Sequence, residues 1–194
     1  MGRVTVVTGI PGTGKTTVCN ELSDLAKKSG RKVTVINYGS VMLELSKERG
    51  KSIHRDEIRK SDLSFQHELQ IKAARVISQR TAKTEGEVIV DTHMSIKTND
   101  GYWAGLPFDV LQILSPSLFV LIEAEPCEVL SRRFRDITRK RDKVLENEIA
   151  EEFMFSRLMA ATCAVLTGAS VKIVKNSAEK QVEAAKEILE LLEK

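Results

Sequence analysis

Cysteine is scarce and scattered in this chain: Cys19, Cys127 and Cys163 are all that 194 residues carry. Three thiols so far apart build neither a disulfide framework nor a zinc site, and each is expected to be a small buried apolar residue. Three histidines, His54, His67 and His93, likewise show no metal-ligand spacing. No apolar run approaches the roughly 18 residues of a membrane span, and the first ten residues read as a strand rather than a cleavable leader, so a cytoplasmic protein without a membrane partner is expected. Repeats, low-complexity tracts and linkers long enough to divide the chain are absent too. The net charge of +3 suits anionic ligands but is too mild to argue for nucleic acid, which is not expected as a partner. With 42% hydrophobic and 29% charged residues, the composition is that of one ordinary globular domain.

Against that plain background one stretch stands out, Gly9-Ile10-Pro11-Gly12-Thr13-Gly14-Lys15-Thr16-Thr17. It fits the spacing G-x-x-x-x-G-K-[ST], a glycine-rich turn that presents backbone N–H groups to a phosphate where a helix begins. The glycines let the main chain approach an anion closely. Lys15 can reach the β and γ phosphates, and the Thr16 hydroxyl is placed to ligate a Mg²⁺ bridging them. The context agrees. A β-branched run, Arg3 to Thr8, precedes the turn, and a helix-forming stretch running to Lys28 and stopped by Gly30 follows it.

Further strands are expected at 31–37, 87–91, 117–123 and 170–174, separated by helices, which makes an α/β fold with a parallel sheet and helices on both faces. Between the second and third strands, residues 38–84 form a long helical excursion: a short helix closed by Gly50, then a long amphipathic one from about Ser64, its expected N-cap, to Thr84. Residues 94–107 read as loop, with Trp103 packed beneath it. Ser177 is the expected cap of the last helix, 178–192.

The third strand, Glu87-Val88-Ile89-Val90-Asp91, runs directly into an aspartate. A carboxylate at the end of a buried strand beside a phosphate loop steadies the metal, so Asp91 joins Thr16 as a candidate Mg²⁺ residue. Seven cations, Arg132, Arg133, Arg135, Arg139, Lys140, Arg141 and Lys143, crowd into twelve residues. Some are ordinary helix pairs, since Asp136 lies four residues beyond Arg132. Beside a phosphate loop, however, such a run can supply the positive charge that phosphoryl transfer needs.

Among phosphate-loop proteins a GTPase needs an Asn-Lys-x-Asp clamp, which does not occur, and a motor ATPase usually places Asp-Glu where Asp91-Thr92 stands. A kinase explains more. Its two insertions, about 38–84 and 132–143, follow strands at the carboxyl edge of the sheet, where ligands of such folds bind, and could close to exclude water. The chain offers no obvious general base for an acceptor hydroxyl. A nucleoside monophosphate needs none, because its phosphate, with a second pKa of about 6, is already mostly deprotonated.

The combination of the phosphate loop with Asn37-Tyr38-Gly39, Asp56-Glu57-Ile58-Arg59-Lys60, Val90-Asp91-Thr92-His93, Gly101-Tyr102-Trp103-Ala104-Gly105-Leu106-Pro107, Arg132-Arg133, the run Asp136 to Asp142 and Leu166-Thr167-Gly168-Ala169 resembles the archaeal adenylate kinase family over nearly the whole chain. The resemblance implies transfer from ATP to AMP with Mg²⁺, giving two ADP, in a cytoplasmic homotrimer. It implies a five-stranded sheet in the order second, third, first, fourth, fifth. It implies one kinase domain: a core of 1–37, 85–131 and 144–194, a monophosphate-binding insertion at 38–84 and a short lid at 132–143. Residues 9–17 would hold ATP, Lys15, Arg132, Arg133, Arg139 and Arg141 would act in catalysis, and Tyr38, Gly39, Ser40, Arg59 and His93 would bind AMP, with Arg55 and Lys97 behind Arg59. Bacterial and eukaryotic relatives carry an arginine in the helix after the second strand, where Met42-Leu43-Glu44 offers none, and Asp91-Thr92-His93 replaces their Asp-Gly-Phe-Pro-Arg. Two other readings stay open: a small phosphate-loop kinase with another acceptor, and an adenylate-kinase-like ATPase serving as an assembly factor.

Overall fold

The computed structural model describes residues 3–48, 58, 61–98, 101–135 and 145–193. Seven strands and seven helices occur among them. β1 (Arg3–Thr8), β2 (Val33–Asn37), β3 (Glu87–Asp91), β6 (Leu118–Glu123) and β7 (Ser170–Lys175) form one parallel sheet in the order β2-β3-β1-β6-β7. With the two hairpin strands set aside, this is the order the sequence implies. The register pairs Val7 with Asp91 on one side and with Val120 on the other, so Asp91 comes level with the end of β1 while β6 runs on past it to Glu123.

Both faces of the sheet are covered, which is why β6 can be buried along its whole length and apolar from Leu118 to Ile122. On one face, α1 (Lys15–Lys28) and α7 (Gln181–Leu191) bury Val18, Leu22, Ala185 and Ile188 against Val7, Ile89 and Val120. On the other, α2 (Tyr38–Glu48), α3 (Leu63–Ala82), α4 (Phe108–Leu114) and α6 (Glu146–Thr167) close over Val6, Val88, Val90, Phe119 and Leu121. A smaller cluster of Ile10, Val129, Ile149 and Phe153 seats α5 (Pro126–Arg135) on α6 beside the phosphate loop.

Several expectations are corrected here. The stretch 94–107 is not a loop, because β4 (Ser95–Thr98) and β5 (Gly101–Ala104) form an antiparallel hairpin pairing Ile96 with Trp103 and Lys97 with Tyr102. The hairpin is fastened to α6 by a Tyr102–Phe155 ring stack, centroids 4.2 Å apart, and by a 3.0 Å Lys97–Glu148 ion pair. Asp62, not Ser64, caps α3; its carboxylate accepts from the Ser64 N–H and hydroxyl, and these bonds hold its carboxyl below the ordinary range. Ser177 stands in a turn, and α7 starts only at Gln181 after Lys180. Cys127, in the first turn of α5, is exposed, whereas Cys19 and Cys163 are buried as expected.

Candidate functional site

The loop after β1 enters α1 through Gly14, whose φ of 79° is left-handed and therefore suits glycine. No side chain caps α1, so its first turn leaves amides directed at whatever lies beyond the loop, the arrangement that attracts an anion. The back of the loop is held by donors from distant parts of the chain. Asn176 Nδ2 donates to the Thr13 carbonyl at 2.7 Å, Arg132 Nη1 to the same carbonyl at 3.3 Å, and Arg133 Nε to the Pro11 carbonyl at 2.7 Å. Inside the turn the Thr13 hydroxyl bonds to the Ile10 carbonyl at 3.0 Å. A Cβ on Gly9 would meet the Ile122 carbonyl oxygen and the Thr13 hydroxyl, each at 2.7 Å, so the loop tolerates no side chain there.

Arg132 and Arg133 are thus drawn onto the loop itself. Arg132 also reaches the Asn176 carbonyl at 3.1 Å. Arg133 makes a bidentate pair with Glu152 of α6 at 2.7 and 3.0 Å, with only 8% and 9% of the two side chains exposed. A second carboxylate of this kind, Glu123 at the end of β6, is held bidentately by Arg157 at 2.6 and 2.7 Å and approached by Lys175 at 3.5 Å. Burial pushes the Cys19 thiol of α1 up to about 11, partly offset by the Lys15 charge, which keeps it protonated and unreactive.

Lys15 turns toward the end of β3 and pairs with Asp91, a buried carboxylate. The other oxygen of Asp91 accepts from Asn37 Nδ2 at 2.6 Å, and Asn37 Oδ1 accepts from the N–H and hydroxyl of Ser40 at 2.9 and 3.0 Å. One carboxamide therefore ties β3 to the first turn of α2. His93 Nδ1 donates to the Gly9 carbonyl at 2.9 Å, and the Tyr38 hydroxyl donates to the Gln70 carbonyl at 2.6 Å, its own ionisation driven well up by burial.

Beside the loop lies a cavity of about 110 Å³. Lys15 lines it from the start of α1, Asn37, Asp91, Thr92 and His93 from the sheet's carboxyl edge, Tyr38, Gly39 and Met42 from α2, and Gln66 and Gln70 from α3; Ile58, Ile96 and Gly105 complete the wall. Of the residues the sequence singles out, the structure brings Lys15, Asp91, Tyr38, Gly39 and His93 to this cavity, with Ser40 bonded to its wall through Asn37. Thr16 and Thr17 are exposed at the start of α1. Lys97 faces Glu148, which raises its pKa. Arg55, Arg59, Arg139 and Arg141 lie outside the described residues.

Asn37, Gln66, Gln70, Glu152 and Asn176 are site residues for which sequence reasoning found no role. Asn37 had a legible signal, an amide at a strand end before a helix. The glutamines had none, since a neutral amide leaves no spacing or charge pattern.

No cluster of three or more acidic, histidine or cysteine side chains that could hold a metal by itself occurs among the described residues. The donors present, the Thr16 hydroxyl and the Asp91 carboxylate, are hard oxygens of the kind that complete the shell of a Mg²⁺ arriving on phosphates.

Compared with known proteins, residues 8–150 match a family model described as an AAA domain. The chain is 43% identical over 190 residues to the adenylate kinase of Methanocaldococcus jannaschii, covering 98% of each chain. The chain belongs to the archaeal adenylate kinase family. The adenylate kinase of Methanopyrus kandleri, another member, is 47% identical over 191 residues, covering 98% of this chain and 97% of its own. Among solved structures, a shikimate kinase from Acinetobacter baumannii superposes with a TM-score of 0.60 at 16% identity, covering 99% of this chain and 93% of its own, a likeness of fold alone. Within the adenylate kinase family, the bracing of the phosphate loop by Arg132, Arg133 and Asn176 is a concrete account of how this chain holds its loop in shape. None of the described helices is long and apolar enough to cross a membrane.

Proposed function

We propose that the chain transfers the terminal phosphoryl group of ATP to AMP, reversibly, giving two ADP. The observation that carries this reading is that Lys15 and Asp91 belong at once to the phosphate loop's surroundings and to the wall of the adjoining cavity. A donor in the cradle and an acceptor in the cavity would meet at one ammonium. The loop amides and Lys15 hold the donor's β and γ phosphates; Lys15 exchanges Asp91 for them when the triphosphate arrives. Mg²⁺ bound to ATP would supply further charge neutralisation, with Thr16 and Asp91 as its protein oxygens.

An AMP phosphate oxygen then forms the new bond to the γ phosphorus as the bond to the β-bridging oxygen breaks, so ADP departs without a proton transfer. Tyr38, Gly39, Ser40 and His93 border the acceptor, with Arg59 as the cation for its phosphate, and Arg139 and Arg141 act from the lid segment 132–143. Arg132 and Arg133, by contrast, act on the loop as positioning residues. We further propose a homotrimer in the cytoplasm, on family resemblance; light scattering tests the assembly. The activity is tested by incubating purified protein with Mg-ATP and each nucleoside monophosphate in turn. ADP formation with AMP is expected. Turnover of shikimate or UMP in its place, or slow ATP hydrolysis with no AMP turnover, would overturn the assignment.

A further inference from the structure

We infer that Gln70 selects the acceptor base, its side-chain oxygen accepting a hydrogen bond from the 6-amino group of adenine. This rests on the proposal that AMP occupies the cavity.

Gln70 is 4% exposed and lies within α3, so its amide depends on partners in the protein or in a ligand far more than on bulk water. Its Nε2 lies 3.3 Å from the Gly105 carbonyl oxygen and 3.4 Å from that of Ala104. Only the NH₂ end can face two carbonyls, since the reversed amide would set three acceptors against one another. The orientation is therefore fixed, both N–H bonds are committed, and the oxygen is what remains. Oε1 accepts no hydrogen bond from any described residue, although Gln70 lines the cavity.

The backbone supporting this arrangement has no freedom to move away. The Tyr38 hydroxyl bonds to the Gln70 main-chain carbonyl. Gly105 is pressed so closely on β3's continuation that a Cβ there would lie 1.8 Å from the His93 carbonyl oxygen. Its N–H is also held by the Met94 carbonyl at 2.8 Å.

The cavity thus offers a fixed, largely buried acceptor near the apolar side chains of Met42, Ile58 and Ile96 and the Tyr38 ring, surroundings that suit a flat base better than a sugar. An exocyclic amine satisfies that acceptor. A 6-oxo purine opposes it with a second lone pair, and a purine with hydrogen at C6 leaves it unpaired. A buried acceptor without a partner costs more than the bond itself is worth in water, which is how one amide discriminates.

The test pairs a deletion on the base with one on the protein, measuring kcat/KM for AMP and for purine riboside 5′-monophosphate, which lacks the amine. The wild type should prefer AMP by about 10- to 100-fold. Gln70→Met, without the acceptor, should reduce that preference to under about 3-fold while the KM for Mg-ATP stays within about 2-fold. Gln70→Leu likewise lacks the acceptor and should lose the preference, which covers the case in which the methionine variant does not fold. A wild type indifferent to the amine, or a Gln70→Met or Gln70→Leu enzyme with undiminished preference, would each overturn the inference while leaving adenylate kinase activity standing. A wild type that turns over no AMP would fail the functional reading instead.

Discussion

The two walls of the site are braced by different chemistry. The phosphate loop is gripped from behind by guanidinium groups, and the charge of Arg133 is balanced by a buried carboxylate, Glu152. The wall of the adjoining cavity away from Lys15 and Asp91 offers instead neutral amides and a hydroxyl, Asn37, Gln66, Gln70 and Tyr38, among apolar side chains. The loop must keep its shape while a highly charged ligand binds and departs, and planar guanidinium forks fix carbonyl and carboxylate positions in two dimensions at once. On the proposed function the cavity takes a nucleoside, where directional neutral hydrogen bonds discriminate and excess charge would not.

Lys15→Ala strikes where the two walls meet, and it should have the largest effect. Transfer should fall about 10³-fold or more, measured as ADP production. Asp91 keeps Asn37 but loses its buried cation, so the nucleotide-free variant should also lose about 1–3 kcal/mol in denaturant unfolding. If activity survives, the shared ammonium is not where donor and acceptor meet. Arg133→Ala comes next. It strands Glu152 and frees the Pro11 carbonyl, and should cost about 3 kcal/mol with a raised KM for Mg-ATP. Arg157→Ala is its comparator and should cost only about 1 kcal/mol, because Arg157 is half exposed and Lys175 stays near Glu123. Equal losses for the two would mean that burial of the guanidinium is not what stiffens the loop.

Asn37→Ala samples the neutral wall. It removes the bonds to Asp91 and to the first turn of α2, and should cost about 1–2 kcal/mol and raise the KM for AMP more than that for Mg-ATP. Glu87, at the far end of β3, belongs to neither wall and serves as a control. Burial lifts its carboxyl above the ordinary range, with Arg3 and Arg31 opposing, and among the described residues its Oε2 has no partner. The folded state therefore favours the protonated form, a contribution present at low pH and lost as pH rises through the raised value. Glu87→Gln should melt about 1 °C higher than the parent at neutral pH, with no difference below about pH 4 and unchanged kinetics.

The donor side was far more legible in the sequence than the acceptor side. The phosphate loop's types and spacing are dictated by backbone approach to an anion, and β3 announces its end with three apolar β-branched residues before Asp91. The hairpin 95–104 escaped because its strands are four residues long and its polar Lys97 and Thr98 read as loop, although Asn99-Asp100-Gly101 is itself a hairpin turn signal. Cys127 was misplaced because scarcity suggests burial, whereas position in the first turn of α5 decides exposure. The cap of α3 fell on Asp62 because its carboxylate takes the Ser64 N–H, which starts the helix at Leu63, ahead of the point where a Ser64 hydroxyl would have capped it. Glu152 and Asn176 could not have been matched to the loop from sequence, since their meeting depends on how α6 and the end of β7 return to it.

Asn37 answers to both substrates' quarters through one planar group. If Asp91 shifts when a triphosphate draws Lys15 away, the same carboxamide carries that shift into the opening turn of α2. Occupancy of one pocket then alters affinity in its neighbour, and thermodynamic reciprocity requires the influence to run equally in reverse.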